Sequence, residues 1–217
     1  ARVCPDVNER NEVPLGLNCL LVESDGKIVL IDTGYGEKNV GLLEKRGIPI
    51  EHGQLLTSLK TIGITSKDID IEINSHLHSD HCGWNTRRIE SKLKPTFPNA
   101  RYYIQQAEWE AALHPNERSR AGYDQENLLP IEETGQLELL DGEYQITKDI
   151  RVLKTPGHTA DHTAVVISNS GETAIYLGDL VHHAVQLERT AWVCAYDDFP
   201  LTAMDTKRRI VEGAIVN

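Results

Sequence analysis

Two runs rich in aliphatic and β-branched residues, at 18–24 and 27–32, flank the pair Asp25-Gly26. A two-residue Asp-Gly link suits positive φ angles, so the pattern predicts a β-hairpin. Val40, Leu42 and Leu43 then sit among charges at 37–46, and Leu55, Leu56, Leu59 and Ile62 recur at helical spacing over 54–62. Each run stops at a glycine, Gly47 or Gly63, and each predicts a short surface helix. Residues 69–73 predict a strand that runs straight into Asn74-Ser75-His76. Further along we expect a strand at 101–105, a helix at 107–113 and an irregular, partly helical stretch at 119–129. Strands follow at 137–140, 144–146, 150–154, 162–168 and 174–177, with a turn at Asp141-Gly142. A helix over 201–212 ends at Gly213, and 214–216 reads as the opening of another strand. Interleaved strands and helices predict an α/β sandwich without internal repeats.

The 217 residues suit one domain, and the mean hydropathy of −0.37 is that of an ordinary globular chain. No apolar run approaches the ~20 residues of a spanning helix, so no membrane role is expected. Lys and Arg number 22 against 33 Asp and Glu, for a net charge of −11, which repels nucleic acid. Cys4, Cys19, Cys82 and Cys194 show no CxxC spacing, and reduced thiols are expected. A cytoplasmic location is favoured, although the first residue is Ala1 and the only Met is Met204, so that terminal segments are expected to be missing. A small-molecule substrate is the expected partner, and a homodimer is a possible assembly.

The chemistry concentrates in Ser75-His-Leu-His-Ser-Asp-His-Cys-Gly-Trp-Asn85. In extended chain His76, His78 and Asp80 point one way, and a turn brings His81 back toward them. Imidazole and carboxylate donors without thiolate suit Zn²⁺, with Fe, Mn or Co as substitutes. His158, in Thr155-Pro-Gly-His158, reads as a further ligand or as a turn residue. Asp179, after Gly178 at a strand's end, reads as a ligand or as a helix cap. Trp84 reads as a core residue or a pocket wall, and Cys82 as a buried packing residue.

With Asp32-Thr33-Gly34 these motifs stand in an order that resembles the metallo-β-lactamase superfamily, over roughly residues 18 to 183. The resemblance implies an αβ/βα sandwich, two mixed β-sheets flanked by helices, with metals at the edge between the sheets. It implies that His76, His78 and His158 hold one metal, that Asp80 and His81 hold another, and that Asp179 bridges the two. Asp32 would orient the imidazoles by hydrogen bonding, or serve as a plain turn residue. Residues 80–85 and 178–183 are most similar to the branch of acyl-homoserine lactonases and methyl-parathion-type hydrolases, in which quorum quenching is a known role. Those lactonases usually place a tyrosine where His182 stands. The family also carries a last metal-binding histidine after the final helix, whereas no histidine follows His183. The resemblance therefore implies a zinc hydrolase, two ions per chain, that turns a metal-bound hydroxide on a lactone or ester. Asp80 would move the proton, and His182 or His183 would bind substrate or donate a proton. Phosphotriester, β-lactam or thioester hydrolysis, or metal binding without turnover, are the alternatives.

Overall fold

The structure is a computed structural model that describes residues 7–38 and 54–216. Most of the helix expected at 37–46 lies outside the described residues. The first hairpin joins β1 (Leu20–Ser24) and β2 (Lys27–Ile31), in register Ser24 to Lys27, through Asp25 and Gly26 at φ 54° and 66°. After α1 (Leu55–Thr61), β3 (Ile71–Ile73) pairs parallel to β2. The short helix α2 (Ser79–Cys82) then leads into a small hairpin of β4 (Thr86–Ile89) and β5 (Lys92–Pro95). Next come β6 (Arg101–Gln105), α3 (Gln106–Leu113), α4 (Leu129–Glu133) and β7 (Leu137–Leu140). The first sheet has the order β1-β2-β3-β6-β7 and is parallel from β2 onward. β8 (Tyr144–Gln145), β9 (Ile150–Lys154), β10 (Thr163–Asn169) and β11 (Glu172–Tyr176) make a second, antiparallel sheet. The short α5 (Val185–Glu188) and the long α6 (Pro200–Val216) complete the chain.

Side-chain alternation explains the layering. Val29 and Ile31 of β2 and Ile71 and Ile73 of β3 pack with Leu140, Ile150, Val152 and Val165, which is the core between the sheets. Leu30 points the other way, onto Leu59 of α1, Phe97, Tyr102 and Ile131 of α4. With both faces covered, the parallel strands need continuous apolar runs, and Ile28 to Ile31 supplies one. On the second sheet Thr206 Oγ1 of α6 donates to Pro156 O at 2.7 Å and Arg209 donates to Lys154 O at 3.0 Å. The result is the αβ/βα sandwich that the motifs imply. No helix among the described residues is long and apolar enough to cross a membrane.

Three elements depart from the pattern. The strand expected at 214–216 is the last turn of α6, and Gly213 does not stop the helix. Glycine ends a helix by turning left-handed, and Gly213 is not among the positive-φ residues. The stretch at 119–129 resolves into two 3-10 turns followed by α4, with Pro130 in its first turn. The β4–β5 hairpin escaped notice because its strands carry Arg87, Arg88, Lys92 and Lys94, and its turn is made by Glu90 and Ser91 at φ 50° and 65° without glycine.

Glu72 lies fully buried in β3; Oε1 accepts from Asn74 Nδ2 at 2.7 Å and Oε2 has no partner. Burial, and then the nearby Asp32 charge, raise its pKa well above the ordinary 4.5. The folded state therefore keeps a proton that the unfolded chain releases above its own pKa. That contribution is complete at low pH and is lost as pH rises through the folded value. Glu72→Gln should raise Tm at pH 8, by about 2–4 °C per kcal/mol gained in a chain of this size, and should give a smaller gain at pH 5. Thermal melts followed by circular dichroism at both pH values check this, and a larger gain at pH 5 would contradict it.

Candidate metal centre

Strand ends deliver the polar residues. Beyond β2 the chain turns at Asp32, φ 55°, whose N–H bonds Ile73 O at 3.0 Å. Beyond β3 the segment 74–78 runs out extended and α2 then starts, while Thr33 N–H bonds His81 O at 2.7 Å. A Cβ on Gly83 would lie 2.0 Å from Tyr35 O, so only glycine lets these two loops approach. From the second sheet, Thr163 N–H bonds Ser75 O at 2.8 Å, which stitches the start of β10 to the end of β3. Gly178 follows β11 at φ 49°, and a Cβ there would meet His162 Nε2 at 2.7 Å, so glycine is needed to bring Asp179 in.

Residues far apart in sequence converge as expected. His78 Nδ1 lies 3.1 Å from His76 Nε2 and 3.0 Å from His158 Nε2. His81 Nε2 lies 3.1 Å from Asp179 Oδ1, and the other oxygen, Oδ2, lies 3.4 Å from His158 Nε2 and 3.1 Å from His182 Nε2. Among the described residues four sets of donor atoms, each within 4.8 Å of one another, are able to hold a cation: His76, His78, His158; His76, His81, Asp179; His158, Asp179, His182; and His182, Cys194, Asp197. Asp80 stands at the rim, Oδ2 3.7 Å from His81 Nε2, and is in none of these sets. It shares a cleft of about 340 Å³ with His81, Asp179 and His182, walled by Leu15, Leu17, Tyr176, Leu177 and Val181. His183 instead accepts from Val185 N–H at 3.2 Å at the start of α5. Trp84 is buried and not part of the cleft; Cys82 is buried against Leu77 O, and burial pushes its thiol up.

The protonation pattern fits a cation. Asp32 Oδ2 accepts from Ser75 Oγ–H at 2.7 Å and from His81 Nδ1–H at 2.8 Å, and Oδ1 accepts from Ser75 N–H at 2.7 Å. The Ser75 hydroxyl proton is thus spent, and its oxygen, 3.1 Å from His76 Nδ1, accepts from that nitrogen. His158 Nδ1–H likewise faces Asp197 Oδ1 at 3.0 Å. Both His76 and His158 are left with lone pairs on Nε2, pointed at His78 Nδ1. Burial first, and then mutual repulsion, hold His76 well below the usual range and His78 down at about 3, so both rings are neutral and the single proton of His78 can satisfy at most one of the two lone pairs. Burial opposes charge on His81, yet Asp32 and Asp179 flank its two nitrogens and raise it well above its ordinary value. For His182, contacts with Asp179 and then Cys194 overcome burial and lift it to about 10. Burial works against the Asp179 anion as well, and hydrogen bonds from His182 and His81 more than offset it. Protons on His81 and His182 thus sit where a divalent ion would neutralise Asp179.

Supporting residues went unseen in the sequence. Asp197 orients His158 across 39 residues. His162, fully buried, accepts from Asp179 N–H at 3.1 Å on Nε2 and meets Thr155 Oγ1 at 2.8 Å through Nδ1. Buried Glu108 accepts from Leu77 N–H, Tyr123 O–H and Thr159 O–H at 3.0, 3.1 and 2.6 Å. It thereby joins the 76–78 segment to the loop that holds His158. Tyr176 O–H lies 2.8 Å from Asp32 Oδ2. None forms a spaced motif; the one local clue is His162, four residues beyond His158.

An αβ/βα sandwich with histidines and aspartates gathered at the edge between its sheets is the frame of a metal-binding site. The family pattern described as Metallo-beta-lactamase superfamily matches residues 13–206, and the chain belongs to that superfamily. It is 31% identical over 169 residues to an N-acyl homoserine lactonase of a Bacillus species, covering 73% of this chain and 61% of that protein. The chain thus spans about three fifths of the length of that curated relative. The structure described as a probable metal-dependent hydrolase from Staphylococcus aureus superposes with a TM-score of 0.87 at 28% identity, over 97% of this chain and 74% of that one. The dizinc quorum-quenching lactonase AidC, in complex with a product, gives 0.72 at 25% identity, over 90% and 67%.

The hydrogen bonds fix tautomers that can be measured. In the metal-free protein at neutral pH, His76, His158 and His162 should carry their proton on Nδ1, read from long-range proton–nitrogen NMR spectra. An Nε2-protonated signal from any of the three would contradict the donor geometry.

Proposed function

We propose that this protein is a dinuclear zinc hydrolase acting on a lactone or ester. The single observation that carries the reading is the convergence of His76, His78 and His158 beside His81, with Asp179 reaching both groups through its two oxygens. His76, His78 and His158 would hold one ion, His81 and Asp80 the other, and Asp179 would bridge them. When bound, the ions supply Lewis acidity and lower the pKa of water from 15.7 to about 7. The chain supplies the rest. Asp32 and Asp197 fix the imidazoles with their lone pairs turned inward, which spares the site reorganisation when an ion arrives. Asp80, a third exposed and next to Asp179 in the cleft, is placed to carry a proton between solvent and the leaving oxygen. Leu15, Leu17 and Val181 give the cleft apolar walls, suited to a neutral substrate with an apolar arm. The similarity to lactonases supports an N-acyl homoserine lactone as the first substrate to try, and with it a quorum-quenching role.

His78→Ala should abolish lactone and ester hydrolysis while the protein stays folded, and chelation should do the same reversibly, with zinc restoring turnover. Metal analysis should find two zinc ions per chain. The assay panel includes aryl esters, phosphotriesters, β-lactams and thioesters. Unchanged turnover in His78→Ala, or a preference for a non-lactone, non-ester member of the panel, would overturn the reading.

A further inference from the structure

Outside the trio and the 80–81 pair, one more imidazole reaches the centre, and its surroundings differ from those of a substrate-contacting side chain. His182 Nε2 lies 3.1 Å from Asp179 Oδ2, and that same oxygen is 3.4 Å from His158 Nε2. The donor atoms of all three residues lie within 4.8 Å of one another. The rings of His158 and His182 stand 5.2 Å apart and nearly perpendicular, a spacing that leaves both nitrogens turned toward the one carboxylate oxygen. His182 is held from behind as well. Its backbone N–H bonds Gln186 Oε1 at 2.7 Å, and one of its ring nitrogens lies within 4.8 Å of Cys194 Sγ and of an Asp197 carboxylate oxygen. Cys194 and Asp197 belong to one closed turn, in which Cys194 N–H bonds Asp197 Oδ2 at 3.0 Å and Asp197 N–H bonds Cys194 O at 3.2 Å. That turn therefore lies against two imidazoles at once, His158 through a hydrogen bond to the Asp197 carboxylate and His182 through the nearby Cys194 thiol.

We infer that His182 is a metal ligand, sharing with His158 and Asp179 the cation they hold, and that Cys194 is its positioning partner. The inference rests on the metal-centre reading above and replaces the substrate or proton role expected for His182. A side chain held at its backbone by Gln186 and at its ring against the bridging carboxylate, with the Cys194 thiol close by, is preorganised for an ion.

The test is cobalt(II) titration of the metal-free full chain, followed by its visible absorption and by competition with a chelator, and needs no turnover. His182→Ala should lose more than the roughly 10–100-fold in affinity typical for removal of an outer partner, and should change the ligand-field spectrum. His182→Gln should lose affinity comparably; it and the melting curve of each metal-free variant guard against a loss caused by misfolding. Cys194→Ala should weaken binding by about 10-fold with the spectrum's shape preserved. Wild-type affinity and spectrum in both His182 variants would overturn the inference while leaving the metal centre intact. A thiolate-to-cobalt charge-transfer band in the wild type would place Cys194 itself on the ion and overturn its assigned part. Wild-type protein that takes up no cobalt overturns both readings together.

Discussion

The carboxylate of Asp32 is the constraint on which the centre depends. It is almost completely buried, and donors surround it: the Ser75 amide and hydroxyl and the His81 ring, with the Tyr176 hydroxyl alongside. Those donors come from the end of β3, from α2 and from β11, so one anion ties the first sheet to the second at the edge where the histidines gather. Its effect passes outward through protons. By taking the Ser75 hydroxyl hydrogen it turns the Nε2 lone pair of His76 toward His78, and by taking the His81 Nδ1 hydrogen it sets the other nitrogen of that ring against Asp179.

The same arrangement explains why His76 and His78, like buried His162, are held far below the usual histidine range and why His81 and His182 lie above it. His76 and His78 face other imidazoles in a dry setting, where a charge has neither water nor a counter-ion close at hand. His81 and His182 face the Asp179 carboxylate. The site thus offers neutral lone pairs on one side of Asp179 and exchangeable protons on the other, and a divalent ion can displace the latter. Buried Glu108, with three donors from three segments, keeps the loops in place.

Membership of the metallo-beta-lactamase superfamily accounts for the sandwich and for the gathering of ligands at its edge, and a turn beyond the cleft supports those ligands. The 190–198 turn, with Cys194 and Asp197, presses against the histidines from the side of α6, which is anchored by Lys207 Nζ donating to Trp192 O at 2.6 Å. Gly157, φ 148°, lets the His158 loop pass α6 where a Cβ would lie 2.3 Å from Ala203 Cα. Packing of one helix therefore bears on both the ligand loop and its backing turn.

Local periodicity and turn chemistry by themselves determined the first hairpin, most of the strands and the helices at 55–61 and 106–113, because each is a short-range rule of alternation, spacing or positive φ. They failed where the signal was charge rather than alternation, in the β4–β5 hairpin, and where a glycine stayed helical, in α6. The dense cluster at 76–81 was legible for the same reason, since six consecutive residues carry their own geometry. His158 and Asp179 drew their meaning only from that cluster, and Asp197, His162 and Glu108 had none in the sequence. Their roles depend on which nitrogen or oxygen meets which partner across tens of residues, and that is decided only when the two sheets close on one another.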